Sequence, residues 1–101
     1  MALLTNPRHP FKEAVIHGAP DEPGLYLLLF GFDILYVGLA HGRTPRDTIR
    51  ALLLAHCNGD LKPTVGTHYR CEVITTGVEA AHAEILRRLP KVPPYNAQAT
   101  G

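Results

Sequence analysis

The chain has 101 residues and a net charge of only +1, from ten Lys/Arg against nine Asp/Glu, which excludes a strongly basic nucleic-acid-coating protein and argues against strong stand-alone affinity for DNA. Hydrophobic residues make up 46% and charged residues 19%, a balance that excludes disorder and predicts one domain over residues 1–101 that buries about two-thirds of its unfolded surface. No apolar run has transmembrane length, and Asn6-Pro7-Arg8 interrupts the N-terminus at once, so the sequence predicts a cytoplasmic protein with no signal peptide and no membrane partner.

Residues 1–22 read as an N-terminal extension to a core over residues 23–96. Pro7 and Pro10 argue against a regular element at the start, and Phe11 to His17 allow two turns of helix with Phe11, Val15 and Ala14 inward. Gly18 to Gly24 is turn chemistry. Two apolar runs follow, Gly24-Leu25-Tyr26-Leu27-Leu28-Leu29-Phe30 and Ile34-Leu35-Tyr36-Val37-Gly38, and the intervening Gly31-Phe32-Asp33 marks a β-hairpin. Each run carries a tyrosine near a glycine. Buried phenols need partners, so two such tyrosines ask what they face.

After a loop over Ala40 to Arg43, Thr44-Pro45-Arg46-Asp47 has the order of an N-cap, a first-turn proline and a first-turn acid. A helix is predicted from Pro45 to about Cys57, with Ile49, Leu52, Leu53 and His56 on one face, and Asn58-Gly59-Asp60 ends it. Thr67 to Thr75 reads as a third strand. Thr76-Gly77-Val78-Glu79 fits a capping box before a second helix whose stripe is Val78, Ala81, His82, Ile85 and Leu89, ended by Pro90. Pro93-Pro94-Tyr95-Asn96 reads as an extended closing segment. The predicted order is β-β-α-β-α, an α+β fold with a small three-stranded antiparallel sheet flanked by helices. Cys57 and Cys71 match no zinc spacing and read as reduced core thiols, and the six histidines show no metal-ligand spacing.

Gly24-Leu25-Tyr26 and Tyr36-Val37-Gly38, with their tyrosines ten residues apart, resemble the two triplets of the GIY-YIG nucleases. Arg46, Glu84 and Asn96 fall where that family carries its arginine, its glutamate and its asparagine, and Pro94-Tyr95-Asn96 resembles its proline-x-tyrosine-asparagine ending. The resemblance implies a metal-dependent endonuclease that hydrolyses DNA phosphodiesters by in-line attack of an activated water. It implies Tyr26 as the base or water-orienting group, Tyr36 as the phosphate-side hydroxyl and Arg46 as the transition-state cation. Glu84 would bind one Mg²⁺ or Mn²⁺, and Asn96 would brace the site. Gly38, His41, Arg43 and Arg50 are implied to lie against substrate, Gly38 by letting it approach closely.

The residue types suit that chemistry. One carboxylate holds a Mg²⁺ that keeps most of its waters, and a guanidinium fork matches phosphate oxygens. A tyrosine works as a base only beside positive charge or a second base. Leu39 stands where many relatives have lysine, and Arg50 stands where others have a histidine or tyrosine, leaving His41 as the nearby substitute base. Taken singly, each residue has a plainer reading: strand tyrosines, a solvated Arg46/Arg50 helix face, a Glu84–Arg88 pair, a turn asparagine, an exposed His41. Their joint spacing favours the site. Two alternatives stay open, a catalytically inactive module that binds nucleic acid or a partner protein, and a subunit active only as a homodimer or with a DNA-binding partner.

Overall fold

The computed structural model describes residues 2–98. A four-stranded antiparallel sheet runs in the order β1-β4-β2-β3, with β1 at His9–Pro10, β2 at Gly24–Phe30, β3 at Asp33–Ala40 and β4 at His68–Val73. The helices are α1 (Glu13–Ile16), α2 (Ile49–Asn58), α3 (Val78–Arg88) and α4 (Pro94–Gln98), and a 3₁₀ turn covers Leu3–Thr5. Among the described residues, no helix is long and apolar enough to cross a membrane. The α+β class is as expected, but the sheet has four strands where three are predicted. The extra one contains Pro10, which pairs with His68 beside His9↔Tyr69. Proline is tolerated there because β1 is an edge strand and its missing amide breaks no ladder.

The hairpin register explains how both faces are covered. Leu28 pairs with Tyr36 but Leu29 pairs with Ile34, so Leu35 is the extra residue of a bulge. The bulge reverses the alternation: Ile34 packs with Leu25, Leu27, Leu29 and Val37, whereas Tyr36 packs with Tyr26, Leu28 and Ala40. The first set is covered by Leu3 and by α3 through Ile85, Val78 and Ala81. The second is covered by α1 through Ile16 and by α2 through Ile49 and Leu53. Both tyrosines therefore face α2.

Helix ends differ from expectation for identifiable reasons. The first helix is only Glu13–Ile16; Ile16 is its buried residue, and Ala14 is exposed. The next begins at Ile49, not Pro45, because Asp47 is used to close the preceding loop. Its carboxylate accepts from the amides of His41 (3.1 Å) and Arg43 (3.5 Å), and its carbonyl accepts from Gly42 (2.8 Å). Thr48 is the true N-cap; its hydroxyl accepts from Ala51 N–H at 3.2 Å and donates to Asp21 at 2.8 Å. Arg46 thus lies in a turn ahead of α2. The capping box at α3 does not form either: Gly77 is the N-cap, in the left-handed region at φ 71°, and Glu79 turns away to His41 and Arg43. Of the segment Pro93-Pro94-Tyr95-Asn96, predicted as extended, the last three residues lie in the one-turn helix α4 (Pro94–Gln98). Both cysteines are free.

The cap assignment has a direct check. Thr48→Ala loses two hydrogen bonds at a buried helix start and is expected to cost about 1–2 kcal/mol in urea denaturation. Thr44→Ala, at an exposed turn, is expected to stay within about 0.5 kcal/mol of the parent.

Candidate active site

Tyr26 and Gly38 stand opposite each other across the hairpin. The phenol ring lies over the glycine so closely that a Cβ there would overlap Tyr26 Cζ. The room that Gly38 provides is therefore filled by Tyr26, and not by an approaching substrate as the resemblance suggests. With its ring in that slot, Tyr26 is 1% exposed and its hydroxyl reaches His56 Nε2 on α2 at 2.8 Å.

The proton positions in this pair follow from the third member. His56 Nδ1 lies 3.0 Å from the Pro63 carbonyl, which only accepts, so Nδ1 carries the hydrogen. Nε2 then holds the lone pair and Tyr26 donates to it. Burial lowers the His56 pKa and keeps the ring neutral. Burial first, and then the nearby Tyr36 and Asp47, hold the Tyr26 pKa well above the ordinary tyrosine value. Tyr26 is thus a neutral buried donor. The expectation that it faces and activates a water is not met in this arrangement, because its hydroxyl is sealed and already engaged.

His56 is the residue that sequence reasoning passes over. The periodicity places it on the buried stripe with Ile49 and Leu53, where it reads as a satisfied core histidine. It is satisfied, but by a candidate catalytic tyrosine. The available signal is two polar rings on inward positions, each needing a partner. Tyr36 completes the cluster, its ring centre 5.4 Å from that of His56 and 6.1 Å from that of Tyr26. It is half-buried, and burial raises its pKa. Its hydroxyl makes no hydrogen bond among the described residues, so of the two phenols this is the one left for a ligand.

Asn96 reaches the same spot from far along the chain. Its side-chain oxygen accepts from Val37 N–H at 2.8 Å and its amide donates to the Val37 carbonyl at 3.0 Å. His82 Nε2 meets the same carbonyl at 3.0 Å. Asn96 therefore holds both backbone groups of Val37, the residue between Tyr36 and Gly38.

The loop after β3 is held by charge. His41 Nε2 is 3.1 Å from Glu79 and its Nδ1 is 3.7 Å from Asp47, and Arg43 meets the same Glu79 oxygen at 3.1 Å. His41 and Arg43, expected against substrate, are thus engaged with carboxylates, and His41 is not a free substitute base. Arg50 donates through Nε to the Ala19 carbonyl at 2.9 Å, tying α2 to the segment before β2. Arg46 is exposed and its side chain has no partner among the described residues. It is the cation of this loop that stays free.

Glu84 sits on α3, the helix covering the opposite face from the tyrosines. Its Oε2 pairs with Arg87 at 3.0 Å, and that hydrogen bond with its charge holds the carboxyl below the ordinary glutamate value. Among the described residues it makes no hydrogen bond to either tyrosine, and no group of three His, Cys, Asp or Glu side chains converges as a metal cage. A single ionised carboxylate with one oxygen uncommitted fits a divalent ion that keeps most of its own waters, as Mg²⁺ does.

Two measurements check this arrangement. Gly38→Ala is expected to cost about 1–3 kcal/mol or more in stability, because Tyr26 is fully enclosed and cannot move aside without leaving His56. His56 also predicts a pH dependence. Folded His56 binds its proton less tightly than the ordinary 6.5, so between the two values the unfolded chain takes up more protons. Its contribution is complete above about 6.5 and is lost as pH falls through and below it. Denaturation midpoints from about pH 7.5 to about pH 5 are expected to fall more steeply for the parent than for His56→Gln, which does not titrate.

Comparison with protein-family profiles, with characterised proteins and with solved structures gave no significant match.

Proposed function

We propose that the protein is a metal-dependent endonuclease that hydrolyses phosphodiester bonds of DNA, as the resemblance to GIY-YIG nucleases implies. The observation that carries the reading is the meeting of distant residues at one backbone segment. Tyr26 covers Gly38, Asn96 clamps Val37, and the unpartnered Tyr36 hydroxyl lies beside them. Tyr26, Tyr36, Gly38 and Asn96 are residues the resemblance singles out; the first three share one hairpin, and Asn96 joins them from 59 positions beyond Val37.

In this reading the roles shift from those first implied. Tyr36 orients the attacking water or a phosphoryl oxygen. The Tyr26–His56 pair forms the buried wall behind it, with the His56 Nε2 lone pair already taken by the Tyr26 hydroxyl. Arg46, free and exposed, meets the phosphate from the loop and offsets charge as it develops. Glu84, on the helix that covers the other face of the sheet, is the carboxylate that the resemblance assigns to Mg²⁺ or Mn²⁺. When bound, such an ion supplies neutralisation of the phosphoryl oxygens. Asn96 keeps the Tyr36 backbone in place.

A second reading is favoured by two particular observations. The Tyr26 hydroxyl is spent on His56, and Glu84 is paired with Arg87. A module that binds nucleic acid or a partner protein without cutting would have both.

Cleavage separates the two. Purified protein with Mg²⁺ or Mn²⁺, offered duplex, branched, flap and single-stranded DNA, is expected to cut at least one. Tyr36→Phe, Arg46→Ala and Glu84→Ala are each expected to slow cutting by about 100-fold or more. Parent protein that binds these substrates and leaves all of them intact would decide for the binding module.

A further inference from the structure

The carboxylate of Glu79 has partners that the fold does not depend on. Its Oε1 meets His41 Nε2 and Arg43 Nη2, both at 3.1 Å. A carboxylate oxygen only accepts, so Nε2 carries a hydrogen, and two donors converge on one anionic oxygen. That convergence is the geometry of an anion site, and Glu79 is the anion in it. Three positions along the same loop, the exposed Arg46 side chain has no partner among the described residues.

The elements on either side of this contact are held by other means. The loop is closed by Asp47, whose carboxylate accepts from the His41 and Arg43 amides and whose carbonyl accepts from Gly42. α3 is seated by Val78, Ala81 and Ile85, and its N-cap is Gly77. The side chains of Glu79 and Arg43 are 65% and 71% exposed, and ion pairs so open to water are weak and readily exchanged. A phosphate group brings at least as much charge, and its oxygens match the guanidinium fork. The loop also borders the candidate site, because the Asp47 charge is among the causes that raise the Tyr26 pKa.

We propose that His41 and Arg43, with Arg46 on the same loop, form a phosphate site that Glu79 fills in the free protein, so that Glu79 is an internal competitor that an arriving phosphate displaces. The proposal rests on the nuclease reading and adds a regulation to it. An anion that engages Arg46 as well as the two donors replaces the Glu79 contacts, and one that does not is held off by the carboxylate. A Glu79 that only ties α3 to the loop predicts the opposite sign, since its removal would loosen the donors and weaken binding.

Glu79→Gln removes the charge and keeps the size at an exposed position, and circular dichroism checks the fold. Binding is read at neutral pH in EDTA, by NMR titration with inorganic pyrophosphate and by anisotropy with a short labelled DNA duplex. Glu79→Gln is expected to tighten pyrophosphate binding about fivefold or more, through the lost competitor and the lost repulsion together, with the His41 and Arg43 signals moving on titration. The gain is expected to vanish when Arg43→Ala is added. Asp60→Asn, which removes an exposed acid just past α2, is expected to change binding by less than about twofold. Unchanged or weaker binding by Glu79→Gln, an equal gain from Asp60→Asn, or a gain that survives Arg43→Ala would each overturn the proposal. A gain with the duplex as well supports a site for strand phosphates, and a gain with pyrophosphate alone supports a site for a free phosphate ligand. Because binding is read without divalent metal, its outcome is separate from cleavage. A chain that shows the gain but cuts nothing loses the nuclease reading and keeps this one. A chain that cuts, with binding unmoved by Glu79→Gln, does the opposite.

Discussion

The ring of Tyr26 lying on Gly38, with its hydroxyl on His56, is the contact that fixes the relation between sheet and helix. Ridge-like packing of Ile49 and Leu53 on the sheet would tolerate small slides of α2, because apolar contacts are not directional. A buried hydrogen bond between two rings is directional, and leaving either partner unmade costs about 1–3 kcal/mol. The bond to Pro63 extends the constraint from α2 to the loop that follows it. One phenol therefore sets the helix, the loop and the histidine tautomer together. That it can do so depends on the absence of a side chain at Gly38.

From this anchor the rest of the site follows by construction. The bulge at Leu35 turns Tyr36 toward the same face as Tyr26, so that His56 neighbours both rings. Asp47 folds the loop after β3 back on itself, and Glu79 ties His41 and Arg43 from the other side of the sheet. Side chains that look available in the sequence are thus spent on holding the loop, and Arg46 is presented outward from it. Neutral rings lie within and a free cation lies outside. Such an arrangement suits an anionic ligand better than a cationic one.

Much of this is legible in the residues, and the exceptions have physical causes. The hairpin, α2's core face and its stop at Gly59 follow from periodicity and turn chemistry. The start of α2 is displaced from its expected position because Thr44-Pro45-Arg46-Asp47 and Thr48 offer competing caps, and the choice depends on Asp47 meeting amides that only the folded loop brings near. Glu79 departs from expectation in the same way, since its local partner at Thr76 loses to His41 and Arg43. The bulge leaves no mark in the sequence, and without it the alternation places Ile34 and Tyr36 on one face. Pro10 conceals β1. The resemblance groups Tyr26, Gly38 and Asn96, but it expects substrate and not the Tyr26 ring in the room at Gly38. The Tyr26–His56 bond can be inferred from two inward polar rings, but not its geometry.

Asn96 and His82 have one more effect. In the order β1-β4-β2-β3, β3 is a bare edge, and an edge of unpaired amides and carbonyls is a template on which another chain can extend the sheet. At Val37 both edge groups are already occupied by side chains, which imitate a neighbouring strand for the length of one residue and then stop. Together with the kink at Leu35, this divides the open edge into pieces too short to nucleate stacking. Asn96 and His82 thus also occupy edge groups of β3 to which another chain could otherwise add.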